Sequence, residues 1–167
     1  MTTQDGSRAQ DDIPTVRLFS GWADSAIWFS SPVSYSDTRL DQDLIDDLRR
    51  WDNGFYAARK PDYEWHNPDD AAHYYQVGTE LARRLAEQIG HDFQVRYDVG
   101  DGYRYVRASG DGDNRAAAAA FRRMNERMNA EQARMREIVD RATSEGHSLY
   151  WSADPPTNDQ ESSVEAD

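Results

Sequence analysis

The sequence predicts an α+β domain: a small, mostly antiparallel sheet of about four strands packed against three helices, the last one long. Three observations lead there. Apolar residues recur at three-four spacing in three separate stretches, the period of a helix with one buried face. Residues 93–99 alternate apolar with polar and are followed by Asp101-Gly102, the pattern of a β-hairpin. Residues 15–20 (TVRLFS) carry the β-branched and aromatic content of a strand.

The elements follow in chain order. After the strand at 15–20, Gly21 and Asp24 interrupt the run, and residues 26–30 (AIWFS) continue or re-enter it. Residues 30–38 (SSPVSYSDT) read as a loop. Helix one follows, with Leu40, Leu44, Ile45, Leu48, Trp51 and Phe55 on one face. Asp41, Asp43, Asp46 and Asp47 occupy much of the other, the early acids matching the positive helix N-terminus. Gly54 weakens its continuation and Pro61 stops it.

Helix two has the clearest ends. Asn67 caps, Pro68 fits the first helical position, Asp69 and Asp70 complement the dipole, and Gly90 terminates. Its stripe is Tyr74, Val77, Leu81, Ala82, Leu85 and Ile89. The hairpin returns through Tyr103, Tyr105 and Val106. A long helix spans 114–145, fed by Ala116 to Ala120 and stopped at Gly146. A short strand at 148–151 completes the sheet, beside strands near 15–20, 93–99 and 103–108.

Composition bounds the function. The 167 residues carry a net charge of −12, yet include 5 Trp, 9 Tyr and 5 Phe. Disordered acidic chains are poor in rings, so this one folds. The folded body is expected over 13–152. Residues 1–12 and 153–167 lack apolar periodicity and are expected to be disordered tails. The absence of Cys excludes disulfides and zinc–thiolate sites and fits a cytoplasmic location. No long apolar run exists, so no membrane span is expected. The negative charge opposes binding to a nucleic-acid backbone and favours a basic protein partner.

No nucleotide-binding, metalloprotease or serine-hydrolase motif is present, so no cofactor is expected. The Gly/Asp stretches at 98–102 and 109–114 are explained by turns. The densest polar constellation is Glu64 to Asp70 with His73 one helical turn on. His66, Asp69, Asp70 and His73 are therefore the catalytic or metal-binding candidates, set against the plainer reading of an acidic helix start with surface histidines.

Binding has more behind it. The acids Asp41, Asp43, Asp46 and Asp47 adjoin Tyr56, Tyr63 and Trp65, rings beside an electrostatic rim as at protein interfaces. With Tyr35, these are the rings to which the helix and strand faces assign no core role. On the long helix, Phe121, Met124, Met128 and Met135 form a seam that packs on the sheet or joins a second copy as a homodimer.

The succession VRLF (16–19), Ile27-Trp28, an acidic-apolar helix reaching Trp51, GTELARRLAEQIG (78–90) and FQVRY (93–97) resembles a group of small uncharacterised proteins of GC-rich Gram-positive bacteria. The likeness covers residues 15–97 and carries no activity over. Small acidic proteins of this sort recur as immunity or antidefence factors. The leading expectation is a non-catalytic acidic module that inhibits a basic protein partner. The alternatives are a small enzyme using the His66/Asp69/Asp70/His73 cluster, and a homodimeric structural or regulatory protein.

Overall fold

A computed structural model describes residues 13–21, 23–62 and 64–144. The order among them is β1 (Thr15–Leu18), β2 (Ile27–Trp28), α1 (Tyr35–Thr38), α2 (Gln42–Ala57), α3 (Pro68–Ile89), β3 (Gln94–Asp98), β4 (Tyr103–Val106) and α4 (Arg115–Ser144). The strands form one sheet in the order β2-β1-β3-β4. β1 pairs antiparallel with β2 and parallel with β3, and β3 pairs antiparallel with β4. The α+β class and the long last helix are as expected from the sequence. The expected tails and the strand at 148–151 lie outside the described residues; β2 supplies the fourth strand.

Alternation decides the two faces of the sheet. Val16 and Leu18 of β1 are buried, as are Val95 beside Val16 and Ile27 beside Leu18. Leu81, Leu85 and Ile89 of α3 belong to the same core as these strand residues. Phe29, Phe93 and Phe121 close it with ring centroids 5.8–6.1 Å apart. Burying each such ring or branched side chain contributes about 1.5–3 kcal/mol.

The 30–38 stretch is not all loop. Tyr35–Thr38 makes one helical turn, with the Thr38 hydroxyl donating to the Tyr35 carbonyl at 2.7 Å. Tyr35 is buried, and its hydroxyl accepts the Ala26 N–H at 3.1 Å, so it belongs to the core and not to an exposed edge. An isolated turn of this kind has no periodicity to detect.

The predicted ends of α3 hold: Asn67 Oδ1 accepts the Asp70 N–H at 2.9 Å, and Gly90 ends the helix at φ +85°. Gly78 makes the α2–α3 approach possible, since a Cβ there would lie 2.9 Å from the Trp51 ring. At the other end, Asn114 Oδ1 accepts the Ala117 N–H at 3.0 Å and starts α4.

The chain divides within α4 into two units, Met1–Met128 and Asn129–Asp167. In the first, Phe121 is buried and Met124 and Met128 pack half-buried against the core. This corrects Phe121 as a dimer contact, because a side chain fully enclosed in its own core is not available to a second copy. In the second unit the described residues 129–144 are helical, with Met135, Ile138 and Val139 exposed. No described helix is long and apolar enough to cross a membrane.

Candidate partner-binding surface

The candidate surface is built on α2, α3 and the segment between them. Helix α2 turns Leu44, Ile45, Leu48 and Trp51 inward, which sends its acids outward. They are not equivalent. Asp41 precedes the helix, and its carboxylate accepts from Asn114 Nδ2 at 3.0 Å. Asp46 accepts from Gln42 Nε2 at 2.8 Å and faces Arg49 at 3.6 Å. Asp47 receives Arg50 at 2.5 Å and Arg84 of α3 at 2.7 Å. Hydrogen bonds from Arg84 and then Arg50 hold its carboxyl below the usual carboxylate range. Asp43 is exposed and makes no side-chain hydrogen bond or ion pair among the described residues.

Between α2 and α3 runs a groove of about 620 Å³. Trp51, Tyr74, Val77 and Leu81 supply its apolar lining, and Asp47, Arg50, Asp70, His73, Glu80 and Arg84 its charged and polar lining. Trp51 stacks on Tyr74 at 4.8 Å and donates its indole N–H to the Tyr74 carbonyl at 3.1 Å.

Beyond the groove, residues 58–60 and 64–66 lie against each other. The Lys60 N–H donates to the Glu64 carbonyl at 2.8 Å and the His66 N–H to the Ala58 carbonyl at 3.1 Å. This places Trp65 against Phe55, Tyr74 and Tyr75, at 6.3, 5.1 and 5.8 Å between ring centroids. The Arg59 guanidinium lies 4.3 Å from the Phe55 ring centroid and 4.2 Å from that of Trp65. Such cation–π contacts contribute about 0.5–2 kcal/mol each. Trp65 is thus half-buried and serves the packing of its own chain. Tyr56 is 55 % exposed and donates its hydroxyl to the Gly21 carbonyl. Tyr63 lies outside the described residues.

The polar cluster at the start of α3 is arranged as a helix cap. Asn67 Nδ2 donates to Asp70 at 2.7 Å while its Oδ1 takes the Asp70 N–H, so the Asp70 carboxylate is engaged locally. His66, Asp69 and His73 are exposed. Among the described residues no group of three His, Asp or Glu side chains could hold a metal ion.

Sequence reasoning missed the side chains that tie these parts together. Asp52 Oδ1 accepts the Gly21 N–H at 2.8 Å, and Tyr56, one turn further along α2, holds the carbonyl of the same residue. Their spacing of four was the available signal. The buried Ser20 hydroxyl meets the Tyr74 hydroxyl, and burial pushes the Tyr74 phenol up. Arg84 and Asn114, each bonding to an acid near or on α2, lie 37 and 73 residues from their partners, beyond any local pattern.

The groove, the acids of α2 and the Arg59–Trp65 contact all fall within residues 14–99, which match a family model described as Serratia CdiI immunity protein-like. No curated protein matches the chain. The matched stretch is just over half of the chain and runs from the residue before β1 to the residue after β3. On that match, the chain belongs to the Serratia CdiI immunity protein-like family.

Proposed function

We propose that this protein is a non-catalytic immunity-type inhibitor, which binds a basic toxin protein and blocks it. The family match over 14–99 carries the reading, and the protein's net charge of −12 supplies the sign of the partner. The binding surface is the outer side of α2 with the adjoining groove. Asp43 and Asp46 offer carboxylates to the partner's cations, Tyr56 offers an exposed ring, and Trp51 and Val77 give the groove an apolar floor. Asp41 and Asp47 are engaged by Asn114 and Arg84, so they act mainly by holding α2 in place. Trp65 supports the surface from behind, as a packed ring beside Arg59.

Capture from the native host with the tagged chain, followed by mass spectrometry, tests this. The expected partner is basic, and its binding weakens by about tenfold or more in the Asp43→Lys/Asp46→Lys double variant. An acidic partner, or unchanged affinity in a folded double variant, would sink the reading.

Self-association is a second reading, favoured by the exposure of Met135, Ile138 and Val139 on the 129–144 helix. Monomeric mass in dilute and concentrated solution would remove it.

A further inference from the structure

The face of the sheet turned away from α3 carries a chemistry opposite to that of the protein as a whole. Strand register places Trp28, Arg17, Arg96 and Tyr105 side by side, one from each strand in the order β2-β1-β3-β4. Phe19 flanks the row at one end, its ring 5.3 Å from that of Trp28, and is 38 % exposed. Tyr103 and Tyr105 at the other end are 57 % and 52 % exposed. The Arg96 guanidinium lies 4.4 Å from the Tyr103 ring centroid.

The central pair is the unusual feature. Arg17 and Arg96 are register partners on neighbouring strands, so two cationic side chains leave the same face side by side. Arg17 donates Nε and Nη2 to the Phe29 carbonyl at 3.1 and 2.6 Å, which fixes its position without neutralising it. No ion pair among the described residues includes either arginine. Asp98, on the same face, accepts the Gly100 N–H at 2.7 Å and pairs with neither. In a chain with 31 acidic residues, two adjacent arginines that no described carboxylate pairs are open to an anion.

We propose that this sheet face is a second docking surface, one that takes an acidic protein segment, its carboxylates on Arg17 and Arg96 and its apolar side chains on Phe19, Trp28, Tyr103 and Tyr105. The two guanidiniums supply charge-assisted donors to the carboxylates, and the flanking rings give the segment an apolar footing. A polyanion is a poorer fit. Aromatic sheet faces do stack nucleic-acid bases, but the net charge of −12 repels a continuous phosphate backbone more than a few spaced carboxylates.

The test uses the full isotope-labelled chain titrated with a short peptide alternating Glu and Phe, its Lys/Phe counterpart, and oligouridine. The expected result is that the Glu/Phe peptide binds, shifts the Arg17, Arg96 and Tyr105 resonances together, and weakens with salt. Arg96→Glu should reduce that affinity by about tenfold or more, and Arg96→Gln, which keeps an amide and most of the stem beside Tyr103, by a smaller factor. The Asp43→Lys/Asp46→Lys variant should not weaken it, which separates this surface from the one on α2. Absence of binding by the Glu/Phe peptide, indifference to both Arg96 variants, or a stronger response to the Lys/Phe peptide or oligouridine at the same residues would overturn the proposal.

Discussion

Arg84 of α3 reaches across to Asp47 of α2 at 2.7 Å, and this contact separates the structural acids of α2 from the available ones. The Asp47 carboxylate also receives Arg50, leaving it one-third exposed and its proton affinity lowered. A lowered carboxyl stabilises the fold above its ordinary range near pH 4, and the contribution is lost as pH falls through the lower folded value. Asp47→Asn should therefore cost about 0.5–1 kcal/mol at neutral pH, the scale of a solvent-screened pair. Urea unfolding at neutral pH and near pH 3 checks it: the gap between variant and parent should close in acid.

Asp52 has the opposite sign. Burial raises its carboxyl, and the Gly21 N–H only partly offsets this. A raised carboxyl penalises the fold above its folded value, and the penalty disappears as pH falls below the ordinary range. Asp52→Asn removes the charge and keeps an oxygen for the Gly21 N–H. The variant should be equal to or more stable than the parent at neutral pH, by up to about 1 kcal/mol. A clear loss of stability at neutral pH that closes in acid would show that the ionised form contributes more than its desolvation costs.

Gly78 lies under the Trp51 ring, with no room for a Cβ. Gly78→Leu should push α2 from α3 and cost about 2 kcal/mol or more, despite leucine's better helix propensity. Thermal unfolding together with Trp fluorescence would read both effects. An unchanged midpoint would mean that the helices separate freely.

The methionine-rich helix should respond unevenly. Phe121→Ala should cost about 3–5 kcal/mol, as for other fully buried rings, because it empties the space between Phe29 and Phe93. Met135→Ala, at 60 % exposure, should leave monomer stability within about 0.5 kcal/mol. Denaturant midpoints of the two variants decide this, and equal losses would contradict the division of the helix at Met128.

What the sequence determined by itself was local. Periodicity marked α2, α3 and α4, the Asn67-Pro68 start and Gly90 stop bounded α3, and alternation with Asp101-Gly102 located the hairpin. Each of these signals lies within a few residues of the structure it dictates. Tertiary structure alone decided which of the outward residues are available. Asp41 and Asp47 look like Asp43 in the sequence, yet Asn114 and Arg84 engage two of the three. Trp65 looks like a loop ring, yet it packs against Phe55, Tyr74 and Tyr75 beside Arg59. The Trp28–Arg17–Arg96–Tyr105 row exists only because β1 lies parallel to β3, a pairing of residues 79 positions apart. Hydrogen bonds, ion pairs and sheet register between distant segments depend on how the chain closes, and no local pattern of residue types encodes that closure.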